Sequence, residues 1–155
     1  MSDLSTAPIW FATPVLDALN ELNRHTAIEH LGIQFSAVGP DWLEATMPID
    51  SRTVQPMGIL HGGISVALAE TLGSTAANCC VDSNRFRAVG IEVNANHMRM
   101  ARSGLVTGTT RPLSLGRRLH VWQTQIVDSA GVLLCASRLT LAIIEATATI
   151  GRAVP

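Results

Sequence analysis

The sequence predicts an α+β domain in which one antiparallel sheet packs on one long helix. Two stretches carry that expectation. From Gly62 to Cys80 the chain reads GGISVALAETLGSTAANCC, without proline and with Glu70 as its only charge, which as a helix would run ~28 Å. After it come four segments of strand character, residues 89–100, 105–111, 119–128 and 132–144. Their separators, Ser103-Gly104, residues 112–116 and residues 128–131, have the turn chemistry that joins antiparallel neighbours. No repeat or low-complexity linker interrupts the chain, so residues 1–155 are expected to form a single domain.

Taken in order, Thr13-Pro14 followed by Val15, Leu16, Leu19 and Leu22 reads as a capped amphipathic helix ending near His25, with proline in the first turn. Residues 33–38 and 42–47 read as two short strands around a Gly39-Pro40-Asp41 turn. A loop over residues 48–60 leads into the long helix. Residues 145–155 are mostly small and read as a frayed tail.

Composition bounds what such a domain can do. Hydrophobic residues make up 47% of the chain, enough for a substantial core, and the formal net charge of -1 offers no field for nucleic acid or an anionic membrane. No apolar run approaches the ~20 residues of a membrane span, and residues 1–10 have no basic start or apolar run of a signal peptide. The three cysteines, Cys79, Cys80 and Cys135, are a poor basis for a disulfide framework, so a cytoplasmic protein is expected. His25, His30, His61, His97 and His120 have no HxxxH or HxH spacing, and neither a metal site nor a cofactor is expected.

On a helical wheel Ile64, Leu68, Leu72, Thr75 and Cys79 form one side of the long helix, suited to the sheet. The other side holds Gly63, Ala67, Glu70, Ser74 and Ala77, which are small apart from one carboxylate. That composition does not suit a solvent surface, so both sides are expected to be covered, the second by another copy in a dimer or tetramer. A buried carboxylate costs several kcal/mol unless paired, so Glu70 reads either as a solvated structural group at a groove mouth or as a group kept for chemistry. Upstream, Gln55, Gly58, His61, Gly62 and Gly63 gather around the helix start, where free N–H groups and the positive end of the dipole favour a developing oxyanion. A tight loop-to-helix turn would use Gly62-Gly63 equally well.

The segment QPMGILHGGISVALAETLGS, from Gln55 to Ser74, resembles the hotdog-fold thioesterases of the Glu-dependent 4-hydroxybenzoyl-CoA type. Within them it looks most similar to small bacterial members acting on 1,4-dihydroxy-2-naphthoyl-CoA or proofreading enterobactin synthesis. The resemblance covers about residues 31–144 and includes LEATMP at 43–48, residues 89–97, Pro112-Leu113 with Leu115-Gly116, and Ser137-Arg138-Leu139. It implies a hotdog fold, an antiparallel sheet wrapped around one central helix, with active sites between paired protomers.

By matching positions, the resemblance makes Glu70 the nucleophile or general base and the Gly62 N–H the group that polarises the thioester carbonyl. Gln55 and His61 would hold the carbonyl or the attacking water, and Ser74, one turn beyond Glu70, would assist the water. By period-two alternation Val89, Ile91, Val93 and Ala95 form an inward face that His97 continues at the strand end, where it is either a histidine bonded to backbone or a ligand-binding group. The resemblance favours binding for His97; Gly63, where a glycine pair admits a ligand carbonyl, and Met98, where the strand ends, are read as further substrate-binding residues. Arg99, Arg102, Arg117 and Arg118 are candidates for the phosphates of coenzyme A. The expected activity is hydrolysis of an acyl-CoA or acyl-carrier thioester, with aryl acyl groups preferred. Two other readings are a hotdog dehydratase, whose motifs match poorly, and a non-catalytic acyl-CoA-binding module, which would have no need of a charge inside the helix.

Overall fold

The computed structural model describes residues 7–146. Its elements run α1 (Leu16–Leu22), α2 (Ala27–His30), β1 (Gln34–Val38), β2 (Leu43–Ile49), α3 (Gly62–Cys79), β3 (Phe86–His97), β4 (Gly104–Leu115), β5 (Leu119–Val127) and β6 (Leu133–Glu145). The six strands form one antiparallel sheet in the order β1-β2-β4-β5-β6-β3, and α3 lies across one face of it. This is the helix-in-sheet arrangement expected of the hotdog fold.

The core lies between helix and sheet. Leu68, Leu72 and Ala76 of α3 meet Leu43, Ala45 and Met47 of β2, Val106 of β4, Trp122 and Ile126 of β5, and Leu139 and Leu141 of β6, all essentially inaccessible. Glycine sets how closely the layers approach. A methyl group on Gly108 of β4 would stand 2.7 Å from Leu72 Cδ1, so only glycine lets the leucine seat there. Trp10 stacks on Trp122 at 6.4 Å between ring centroids and closes the base of the core.

Several boundaries differ from expectation for local reasons. Pro14 is not in the first turn: Val15 is extended at the N-cap without a side-chain cap bond, and α1 starts at Leu16. The helix stops at Leu22, His25 takes a left-handed conformation (φ 62°), and Thr26 caps a separate short α2. β4 runs through Pro112 to Leu115 because a bulge between Pro112 and Ser114 absorbs the missing N–H, which moves the turn to residues 115–119. β3 begins three residues earlier than expected because Phe86 pairs with Glu145. It ends at His97, after which Met98 and Arg99 both turn their N–H groups to the Leu134 carbonyl. Glu145 thus closes β6 and is not part of a tail, while residues 147–155 lie outside the described residues.

A bulge between Gly90 and Glu92 also changes the inward face of β3. Ala88 is buried, Val89 and Ile91 are exposed, and Val93 and Ala95 pack on the core. Strict alternation fails because the extra residue reverses the side-chain phase.

The two outer strands are treated alike at one point each. On β1, the Asn20 amide of α1 donates to the Phe35 carbonyl (3.0 Å) and accepts its N–H (2.9 Å). On β3, the Asn78 amide of α3 does the same for Ala88, at 3.0 Å both ways. Each side chain replaces a neighbouring strand for one residue. Beyond Ala88 the outer edge of β3 carries no such cover among the described residues.

Candidate active site

The site begins with the residues that start α3. His61 is extended (φ −71°, ψ 127°), and its Nδ1 accepts the Gly63 N–H at 2.9 Å. Its carbonyl takes the N–H groups of Ile64 and Ser65 at 3.0 and 3.1 Å. Of the first-turn donors, the Gly62 N–H has no acceptor among the described residues. A neutral His61 that accepts at Nδ1 carries its proton on Nε2, so that nitrogen is its one available donor.

The loop before α3 is tied down from within. The His61 N–H bonds the Thr53 carbonyl at 2.9 Å. Thr53 is fully buried, its Oγ1 donating to the Pro48 carbonyl (2.8 Å) and accepting the Asp50 N–H (3.0 Å). The Arg52 guanidinium beside Asp50 (2.6 Å) holds that carboxyl well below the usual range, at about 2, although both groups face water. Further on, Gln55 Oε1 accepts the Met57 N–H at 2.6 Å, and Gly58 makes the turn with φ +70°. With its oxygen engaged, the Gln55 amide has its NH₂ free to donate.

Of these groups, Gln55 and Gly62 line a cleft of about 230 Å³ with Leu60, Ser65, His97 and Arg99, and Leu134 and Cys135 as its floor, while the His61 side chain does not line it. His97 reaches in from the end of β3, and a methyl group on Gly62 would stand 2.9 Å from its Nε2. Glycine at 62 is thus what allows an imidazole to lie against the helix start. Met98 and Arg99 line an adjoining groove of about 400 Å³ with Met100, so the sequence-predicted residues at this end of the chain do come together. Gly63 lies exposed beside His61.

Glu70 lies elsewhere on α3. It is half-buried and makes no hydrogen bond or ion pair among the described residues, and its Oε1 lies so close to Gly90 of β3 that a methyl group there would be 2.5 Å away. Ser74, also half-buried, is one turn further along. Glu70 is eight positions after Gly62, ~12 Å along the helix axis. Their strand contacts, His97 and Gly90, are seven residues apart on β3, ~20 Å of extended chain. One copy of the chain therefore does not put the carboxylate and the free N–H on the same carbonyl.

Arg117 and Arg118 are exposed in the turn between β4 and β5, at the opposite end of the fold from the cleft. Arg117 lines a second cavity of about 410 Å³ beside Cys80, the last-turn neighbour of α3, and buried His120. Burial there pushes the His120 imidazole below its ordinary pKa and drives the Cys80 thiol up to about 12.

Three residues near these sites escaped sequence reasoning. Ser65 is buried in the cleft wall, one turn into α3, where a lone serine in an apolar run carries no signal. Asn78, at the far end of the same helix, was legible only as a polar residue. Gly90 had a usable signal, since an isolated glycine inside a strand pattern marks a bulge or a close approach, and here it marks both.

An antiparallel sheet wrapped on one helix, a donor-rich cleft at the helix start and a carboxylate on the face that one copy leaves open together define a class, the hotdog-fold hydrolases of activated carbonyl compounds. Within it, the chain belongs to the Thioesterase superfamily, whose family model matches residues 57–135. It is 51% identical over 136 residues to the 1,4-dihydroxy-2-naphthoyl-CoA hydrolase of Escherichia coli strain K12, covering 88% of this chain and 99% of that protein. It is 47% identical over 135 residues to the proofreading thioesterase EntH of Cronobacter turicensis, covering 87% and 98%. The crystal structure of a glutamine-to-alanine variant of a Pseudomonas aeruginosa thioesterase superposes with a TM-score of 0.88 at 46% identity, covering 89% of this chain and 99% of that one. The protein is an enzyme of the thioester hydrolase class.

Proposed function

We propose that the protein hydrolyses acyl-CoA thioesters, aryl acyl groups ahead of long straight-chain ones, at a site built between two copies of the chain. The observation that carries the reading is the free Gly62 N–H in a cleft shared with the Gln55 amide and His97, at the positive end of α3. The thioester carbonyl oxygen is held there by Gly62 and Gln55 as negative charge develops on it. Glu70 supplies the other half of the chemistry. Its carboxylate either adds to the carbonyl carbon and expels the CoA thiolate, leaving an anhydride that water cleaves, or takes a proton from the water that adds. Both routes consume one water and yield the free acid and the thiol. Ser74 is one turn from Glu70 and available to orient that water, and the His61 Nε2–H is a further donor at the helix start.

The separation of Glu70 from Gly62 is what calls for a second copy. The uncovered edge of β3 runs from Gly90 to His97, with exposed Val89 and Ile91 beside it, a surface that favours strand pairing. Antiparallel self-pairing about Val93 or Asn94 sets the Gly90 end of one strand beside the His97 end of the other. Glu70 then approaches the partner's Gly62. The half-exposed Ala67, Glu70 and Ser74 face is covered in the same step.

Support for an aryl group comes from the cleft, about 230 Å³ walled by Leu60, Leu134 and Met100, which suits a compact ring better than a long tail. The E. coli relative named for a naphthoyl-CoA points the same way. Arg99 stands at the mouth, and Arg102, Arg117 and Arg118 of either copy are the remaining candidates for the CoA phosphates.

The test is a panel of benzoyl-type and palmitoyl thioesters assayed for released thiol, with Glu70→Ala alongside. Glu70→Ala is expected to lower kcat by at least ~10³-fold, and Gln55→Ala and His61→Ala by less. Near-normal turnover by Glu70→Ala with an unchanged melting profile would remove the catalytic assignment. A clear kcat/KM advantage for palmitoyl-CoA would overturn the acyl preference. An active monomer in light scattering would refute the shared site.

A further inference from the structure

We propose that Asn78 is a positioning residue for Glu70, acting through the outer strand of the sheet; the proposal rests on the catalytic reading of Glu70 given above. Three hydrogen bonds define its place. Asn78 Nδ2 donates to the Ser74 carbonyl of its own helix at 2.9 Å and to the Ala88 carbonyl of β3 at 3.0 Å, while Oδ1 accepts the Ala88 N–H at 3.0 Å. Both backbone groups of Ala88 therefore face away from β6 and are filled by a side chain from α3. Two residues further along β3, Gly90 lies against Glu70 Oε1.

Glu70, Ser74 and Asn78 recur every four residues and descend one side of the helix. At one end of that row the side chain clamps the strand, and at the other the carboxylate rests on it. β3 is the outer strand, paired with β6 along one side, and along its other side at this end the Asn78 amide of α3 is what bonds its backbone among the described residues. The clamp holds the strand at its distance from the carboxylate. It also ends the free edge, since the filled N–H and carbonyl of Ala88 cannot pair with a second copy and the ladder must begin beyond it. The register that brings Glu70 to the partner's Gly62 is bounded by the same amide.

A residue that works this way should affect kcat more than KM, and only when Glu70 is present. Asn78→Ala is expected to lower kcat between about 10-fold and about 10²-fold, the range for displacing a catalytic group by around 1 Å, while KM stays nearly constant and the oligomer persists. Asn78→Asp keeps the shape but trades the Nδ2 donor for an oxygen facing two carbonyls, so it should fail to restore kcat. It also serves as the second variant if Asn78→Ala does not fold. The deciding measurement is the double variant with Glu70→Gln, assayed by thiol release on one aryl-CoA. Adding Asn78→Ala to Glu70→Gln should cost nothing further, because the group it positions is already gone. If the two losses multiply, or if folded Asn78→Ala keeps wild-type kcat, the positioning role is overturned. Should Glu70→Gln itself remain fully active, the catalytic reading falls instead, whatever Asn78 does.

Discussion

Gly90→Ala probes the placement of the carboxylate from the strand side. The added methyl carbon would stand 2.5 Å from Glu70 Oε1, 3.5 Å from its Cδ and 3.7 Å from Leu139 Cδ1. A carbon and an oxygen in contact sit at roughly 3.3 Å, so the oxygen must retreat by about 0.8 Å. Oε1 is the far end of a flexible, half-buried side chain, and a changed rotamer costs about 1 kcal/mol. Alanine in place of a strand glycine returns roughly 0.5–1 kcal/mol of backbone entropy. Stability should therefore hardly change, because the two terms nearly cancel. Activity should change, since a displacement of around 1 Å at the reacting centre can cost ~10²-fold, or about 2.7 kcal/mol. The assay is steady-state thiol release from an aryl-CoA, with thermal melting and light scattering on the same sample. The expected result is a kcat lowered about 10-fold to about 10²-fold with KM, melting temperature and oligomeric state near wild type. A kcat within about twofold of wild type would mean that Glu70 does not act from the position seen here.

Thr53→Val removes the hydroxyl that serves both the Pro48 carbonyl and the Asp50 N–H. It should destabilise the fold by about 1–3 kcal/mol in chemical denaturation and lower kcat by loosening His61. Burial lowers the His120 pKa, so the unfolded chain binds the proton more readily than the folded one. Stability is then fully present above the ordinary value of 6.5 and falls as pH drops through it toward the folded value, and His120→Leu should flatten this part of the curve. With Cys80 at about 12 and Cys79 and Cys135 also raised by burial, a disulfide reagent at pH 8 should label the native protein slowly and the unfolded protein fast. Rapid labelling without denaturant would show these thiols to be open to solvent.

Much of the outline depends on signals local to the chain. The long helix was legible because nineteen residues run without proline from a glycine pair through an adjacent pair of cysteines, and α3 fits that stretch to within one residue. Both strands of the first hairpin lie close to where the Gly39-Pro40-Asp41 turn placed them. His61, Gly62 and Gln55 were readable as a group because a helix start announces itself by its cap and its glycines. The superfamily followed from the same segment.

What the sequence left open depends on contacts between distant residues. Pro112 reads as a turn and is a bulged strand position, because the partner strand β5 decides whether a missing N–H is tolerated. Val89 and Ile91 read as inward and are exposed, because pairing with β6 inserts a bulge that alternation cannot register. The sequence could not say where Arg117 and Arg118 stand relative to the cleft, and the strand order places them at the far end of the helix from it within one copy. The separation of Glu70 from Gly62 was implicit in their spacing of eight positions. The tertiary structure adds that Gly90 and His97 of β3 lie against Glu70 and Gly62 respectively. By itself, then, the sequence determined the elements, the chemistry of the helix start and the lone carboxylate, since caps, periodicity and charge act within a few residues of chain. Only the tertiary structure decided which groups share a cavity and which stand apart, because that depends on strand order and register, set by packing across the whole sheet.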